Sequence, residues 1–175
     1  MLALIFDTET TGLIKHPSAR DEVQPRIIEW AGVLADRNVV YESFATLVYP
    51  GQPITEEIQR ITGITNDELV MAPSFAEVSD QIKSIFAAAD ALVAHNLPFD
   101  KGMMELELRR HGMMEGWPWP PVNICTVQEH AEEWGYRPKL SQLYLHYMSE
   151  PYHQTHRALD DVRALLEIVR KGQII

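Results

Sequence analysis

An apolar run at the start of the chain stops at a pair of carboxylates. Leu2-Ala3-Leu4-Ile5-Phe6 passes directly into Asp7-Thr8-Glu9-Thr10-Thr11-Gly12, which reads as a buried strand ending in a turn. Side chains two residues apart leave a strand on the same face, so Asp7 and Glu9 can meet one metal ion while Thr8 points the other way. A polar strand end before a turn gives the same local pattern, since Asp and Thr are common there. The rest of the chain has to decide between the two.

The order of elements narrows the fold. Ile14 to Pro25 is polar and proline-bearing and reads as an exposed loop. Ile27 to Ala35 and Val39 to Tyr49 are β-rich and joined by Asp36-Arg37-Asn38, a hairpin pattern. Helical signals follow at Thr55 to Thr62, stopped by Gly63, and at Ser74 to Ala89, where Ser74 and Glu77 form a capping box. Ala91 to Ala94 is a short buried strand, Phe99 to His111 a helix, and Val122 to Cys125 a final strand. Gly116-Trp117-Pro118-Trp119-Pro120-Pro121 excludes a regular element and reads as a rigid surface loop. Helices are expected over Val127 to Trp134, Leu140 to Tyr147 and Ala158 to Arg170. An antiparallel opening followed by alternating helices and strands points to a mixed α/β sheet covered by helices. At 175 residues this is one domain, spanning residues 1–175.

Two further fragments carry carboxylates. His95-Asn96-Leu97-Pro98-Phe99-Asp100 leaves a strand and opens a helix, placing Asp100 near a strand's carboxyl end, where α/β proteins gather their sites. Helix-dipole stabilisation of a first-turn acid is the competing explanation for Asp100. In His156-Arg157-Ala158-Leu159-Asp160-Asp161, the positions Ala158, Val162, Leu165 and Val169 form the inward stripe of the last helix. Asp161 lies against that stripe and needs a partner, for which a metal suffices; Asp160 points away. On a continuous helix His156 would stand about 140° from Asp161, so it should precede the helix or lie in its first turn.

Taken together, Asp7-Thr-Glu-Thr-Thr-Gly12, His95-Asn-x-x-Phe-Asp100 and His156-x-Ala-x-x-Asp161 resemble the three motifs of the DEDDh, or DnaQ-like, 3′→5′ exonucleases. That family includes the epsilon proofreading subunit of bacterial DNA polymerase III and ribonuclease T. Thr62-Gly63-Ile64-Thr65, Cys125-Thr126 and Lys139-Leu140-x-x-Leu143 fall in register, and the resemblance covers about Leu2 to Val169. It implies a ribonuclease H-like fold, a five-stranded mixed sheet whose first three strands are antiparallel, flanked by helices. It also implies that Asp7, Glu9, Asp100 and Asp161 hold two Mg²⁺ or Mn²⁺ ions and that His156 is the general base. Arg157 stands where the tyrosine branch of the superfamily carries its Tyr, which puts this chain in the histidine branch. By the same resemblance Thr8, Thr10, Thr11, Gly12 and Leu13 receive the terminal nucleotide, with Leu13 wedged against the last base. His95, Asn96 and Phe99 are candidate substrate contacts, with a structural reading beside those of His95 and Phe99. Thr62 replaces the histidine that epsilon relatives carry before Gly-Ile. Trp117, Trp119 and Trp134 are candidate stacking platforms, and Arg109, Arg110, Arg137 and Lys139 candidate phosphate-steering cations. For all seven, surface packing or solvated charge is the stronger expectation.

The chemistry suits these residue types. Hard, oxygen-preferring cations call for carboxylates rather than thiolates or imidazoles. A net charge of −10 argues against tight duplex binding, which takes a basic face. It does not exclude hydrolysis of single-stranded or frayed 3′ ends, because clustered carboxylates add negative charge that bound metal reverses locally. DNA is expected ahead of RNA. A polymerase or a second copy of the chain is the expected protein partner, and a proofreading or structural subunit that borrows affinity from such a partner is the alternative function. With the sequence running about five residues past the last expected helix, no tail for a separate partner-binding segment is expected. The single Cys125, the absence of a leader pattern at Met1 and the absence of a long apolar run point to a cytoplasmic protein that uses no membrane.

Overall fold

The computed structural model describes residues 1–16 and 18–175; Pro17, inside the expected Ile14–Pro25 loop, lies outside the described residues. Five strands form one sheet: β1 (Ala3–Thr10), β2 (Ile27–Ala35), β3 (Val40–Leu47), β4 (Ala91–Ala94) and β5 (Val122–Cys125), in the order β3-β2-β1-β4-β5. β1, β2 and β3 pair antiparallel, while β4 joins β1 and β5 joins β4 in parallel. The mixed sheet expected from the element order is therefore present. Among the described residues seven α-helices accompany it: α1 (Glu56–Thr62), α2 (Asn66–Val70), α3 (Phe75–Ala88), α4 (Leu97–Arg110), α5 (Thr126–Trp134), α6 (Leu140–Met148) and α7 (Ala158–Lys171). Among the described residues none is long and apolar enough to cross a membrane.

The period of two along each strand sorts side chains into two cores. Leu4, Phe6, Trp30 and Leu92 face α3 and α4, whereas Ala3, Ile5, Ala31, Val33 and Val93 face α6 and α7. The sheet is thus buried on both sides, which is why its inner strands read as nearly continuous apolar runs. Gly32 is needed for close approach, because a β carbon there would sit 2.4 Å from the Trp30 ring. At α3 the Glu77 carboxylate accepts from both the N–H and the hydroxyl of Ser74, at 2.7 Å each.

Three expectations need correction. The Gly116–Pro121 loop is not superficial: Trp117 is only 6% exposed. Its ring and that of Trp119 lie 5.6 and 5.4 Å from Phe86, edge to face. Burying a large apolar side chain is worth about 1.5–3 kcal/mol, so the Trp117 indole serves the core, with Trp119 half-buried against it. Arg110 is likewise structural, with its guanidinium bonded to Glu107 and to the carbonyls of Asp21, Gln24 and Pro25. The helix containing Asp100 begins at Leu97, two residues before the expected start, because Pro98 fits the first turn. The five-residue α2, capped by Thr65 and Glu68, is too short to announce itself by periodicity.

Candidate active site

The candidate residues converge where β1 outruns β4. β4 pairs with β1 only from Ala3 to Ile5, so the next inward N–H groups of β1 lose their strand partner on that side. Asp100, in the first turn of α4 and 3% exposed, takes over. Its Oδ1 accepts from the N–H of Thr8 at 3.1 Å and from the Thr8 hydroxyl at 2.8 Å. Thr8 points away from Asp7 and Glu9, as alternation requires, and its polar atoms hold Asp100.

Asp7 and Glu9 face the α7 side of the sheet. Asp161, 3% exposed on the first turn of α7, comes to meet them. One ligand atom from each of Glu9, His156 and Asp161 lies within 4.8 Å of the others. Asp7 and Asp100 stand beside this group, near enough for their charges to act on it. His156 precedes α7 by two residues, in the left-handed region at φ 54°, so the rotation that separates it from Asp161 on a continuous helix does not apply. His153, the other histidine ahead of α7, is exposed and outside the group.

The electrostatics are those of crowded acids. Burial, then Asp100, Glu9, Asp161 and Glu29, push the Asp7 carboxyl well above its ordinary value. Burial and the charges of Asp161, Glu29 and Asp100 push Glu9 up from 4.5 to about 8. Burial also raises Asp100, against the lowering effect of its bonds from Thr8. It raises Asp161 too, opposed by Gln154, Tyr152 and His156. Buried carboxylates that raise one another in this way fit a divalent cation, which supplies the missing countercharge. All four offer oxygen, the donor that Mg²⁺ and Mn²⁺ prefer.

These shifts set a pH dependence. The unfolded chain releases the Glu9 proton near 4.5, while the native protein keeps it to about 8. Between those values the native state holds more protons, so stability falls as pH rises. The lowered carboxyls of Asp36, Glu68 and Glu77 act only below that window. In EDTA the melting temperature should drop by several degrees between pH ~5 and ~8, at roughly 2–4 °C per kcal/mol for a chain of this size. Mn²⁺ should raise it most at the alkaline end, where protons compete least. A flat metal-free profile by scanning calorimetry would contradict the crowding.

Several neighbours were not visible in the sequence. The Tyr152 hydroxyl donates to Asp161 Oδ1 at 2.7 Å, and Gln154 Nε2 donates to Oδ2 at 2.6 Å. Both belong to the irregular stretch before α7, where nothing in the spacing marks them. Glu29 of β2 pairs across the ladder with Glu9 and is bonded by Arg157. A lone acid inside Ile27–Ala35 was the available signal, because a buried charge requires a partner.

The expected substrate contacts divide. The Thr10–Leu13 turn is tied down by Thr10 Oγ1 donating to Gly12 O at 2.8 Å, and by Thr11, whose N–H donates to Arg26 O and whose Oγ1 accepts from Arg26 N, both at 2.9 Å. Gly12 takes φ 154°, and Leu13 stands out with 79% of its surface exposed. Phe99 is half-buried against the core. Asn96 accepts from Arg137 at 3.0 Å. His95 is held at both ring nitrogens. Pro138 O can only accept, at 3.1 Å from Nε2, so Nε2 carries the proton and Nδ1 accepts from the Thr126 hydroxyl at 3.0 Å. Burial lowers His95 to about 4, leaving it neutral and structural in this arrangement.

With this geometry in place, the comparisons with known proteins agree. The family model described as "Exonuclease" matches residues 4–169. The DNA polymerase III subunit epsilon of Treponema pallidum (strain Nichols) is 33% identical over 170 residues, covering 93% of this chain and 72% of that protein. The chain spans 25% or less of several longer relatives. Among solved structures, the nuclease domain of 3′hExo, a DEDDh family member bound to rAMP, superposes with a TM-score of 0.76 at 17% identity, covering 99% of this chain and 92% of that one. Exonuclease X in complex with 5′ overhanging duplex DNA superposes with a TM-score of 0.67 at 25% identity, covering 98% and 92%. The five-stranded mixed sheet is the ribonuclease H-like fold of these enzymes. The chain belongs to the exonuclease family and shares the fold of a DEDDh family member.

Proposed function

We propose that residues 1–175 form one exonuclease domain that removes nucleotides stepwise from nucleic-acid 3′ ends and releases nucleoside 5′-monophosphates. The observation that carries this reading is the meeting of Glu9, His156 and Asp161, from β1 and the start of α7, with ligand atoms within 4.8 Å of one another. Asp7, Glu9, Asp100 and Asp161 would hold two divalent ions, Mg²⁺ or Mn²⁺. Such ions, when bound, acidify the attacking water and stabilise the charge on the leaving oxygen.

The chain's own residues do the rest. His156 takes the water's proton as general base. The tied Thr10–Leu13 turn offers its backbone to the 3′ terminus, and the protruding Leu13 packs against the terminal base. Thr8 keeps Asp100 in place from the opposite face.

Single-stranded or frayed ends are the substrate this acidic surface suits, and DNA is favoured over RNA by the relative named as a polymerase III subunit. That same likeness supports a second reading, a proofreading subunit whose hold on nucleic acid comes from a polymerase.

Matched 3′- and 5′-labelled single-stranded DNA and RNA, incubated with Mg²⁺, Mn²⁺ or EDTA, test the proposal. The 5′-labelled strands should shorten one nucleotide at a time with metal and stay intact in EDTA. The 3′ label should appear at once as mononucleotide. A folded protein that cleaves nothing with either metal would leave only the partner-dependent reading.

A further inference from the structure

Glu29 is a fifth acid at the site, outside the three motifs. It lies in an apolar strand with 4% exposure and pairs with Glu9 on the neighbouring strand. Its oxygens are occupied from one direction. Arg157 Nε lies 3.1 Å from Oε1 and 3.2 Å from Oε2, Arg157 Nη2 lies 2.9 Å from Oε1, and the Ala158 N–H donates to Oε2 at 2.9 Å. The donors belong to the two residues that directly follow His156. A planar guanidinium fork on a carboxylate fixes orientation as well as distance.

His156 needs such a hold. It is exposed, so packing contributes little to its placement. Its backbone sits at φ 54°, a left-handed conformation that an L-residue seldom adopts and that persists only where the surroundings impose it. The segment before it has no regular structure from Pro151 to Arg157. The first restraint downstream is the Glu29 clamp, anchored on the strand beside Glu9.

We propose that Glu29 and Arg157 are positioning residues that hold His156 in its left-handed conformation beside Glu9 and Asp161. The clamp acts through the backbone and touches neither substrate nor metal. This rests on the reading of His156 as general base. Loss of the clamp lets the imidazole drift while the terminal-nucleotide turn and the carboxylates stay in place. The cost should therefore fall on kcat and spare KM.

The test is a double-mutant cycle. Arg157→Lys keeps the charge and loses the fork; Glu29→Gln keeps the shape and loses the charge. Each should lower kcat by about 10–10²-fold, the effect of an ångström-scale misplacement, with KM within about twofold. Placed on His156→Ala, the same changes should cost less than about twofold, because two residues acting as one unit are non-additive. Mn²⁺ affinity by calorimetric titration should match the parent. Full multiplicative losses on the His156→Ala background would overturn the clamp and make it a general stability element. A large fall in Mn²⁺ affinity would overturn it too, marking Glu29 as a ligand. Parental activity of His156→Ala alone would instead sink the base assignment, a separate failure. Should one variant not melt cooperatively, the other carries the cycle, since each breaks the clamp from its own side.

Discussion

Asp7→Asn should yield a folded protein that does not turn over substrate and that melts at a higher temperature than the parent in EDTA at pH ~8. The two halves share one cause. Asp7 is raised by burial and by Asp100, Glu9, Asp161 and Glu29, so its negative charge is disfavoured in the metal-free fold. Asparagine keeps the shape and removes one charge from that crowd, which relieves repulsion and stabilises. The same change removes an anionic oxygen that the proposed metal pair needs. Calorimetry with EDTA and then with Mn²⁺, beside the gel assay, reads both halves. The parent should gain stability on adding Mn²⁺, and the variant should gain much less. A variant that hydrolyses at the parental rate would remove Asp7 from the site.

His156→Ala should cost about 10²–10⁴-fold in kcat, the usual weight of a general base, with KM close to the parent's. Without an imidazole the variant depends on hydroxide, so its residual rate should rise with pH. His153→Ala is the internal control, because His153 is exposed and outside the group formed by Glu9, His156 and Asp161. It should retain the parental rate. If the two variants exchanged behaviour, the base would be His153 and the irregular segment would have to rearrange to bring it in.

Most of the architecture was legible because it rests on short-range signals. The apolar run to Phe6, the hairpin around Asp36-Arg37-Asn38 and the Ser74–Glu77 capping box each declare themselves within a few residues. The motif carboxylates were legible for another reason: their residue types and spacing resemble a family pattern. What escaped depends on contacts distant in sequence. Glu29 and Arg157 are 128 residues apart, and no periodicity couples them. Tyr152 and Gln154 reach Asp161 from an irregular stretch, where a sequence offers no face or register to count along. Trp117 read as superficial because Gly and Pro around it mark a loop, and loops run over surfaces. Here the loop folds its indole back onto Phe86.

The bond between Asp100 and Thr8 bears on how an inactive form of this enzyme should be built for trapping a bound strand. Asp100 closes the exposed edge of β1 as well as facing the site. Replacing it with alanine would orphan a buried N–H and a buried hydroxyl, loosening the very strand that carries Asp7 and Glu9. A complex trapped that way would record a damaged scaffold. Among the described residues Asp7 receives no such structural bond, so its amide variant would preserve the frame and give the more faithful picture of an end waiting to be cut.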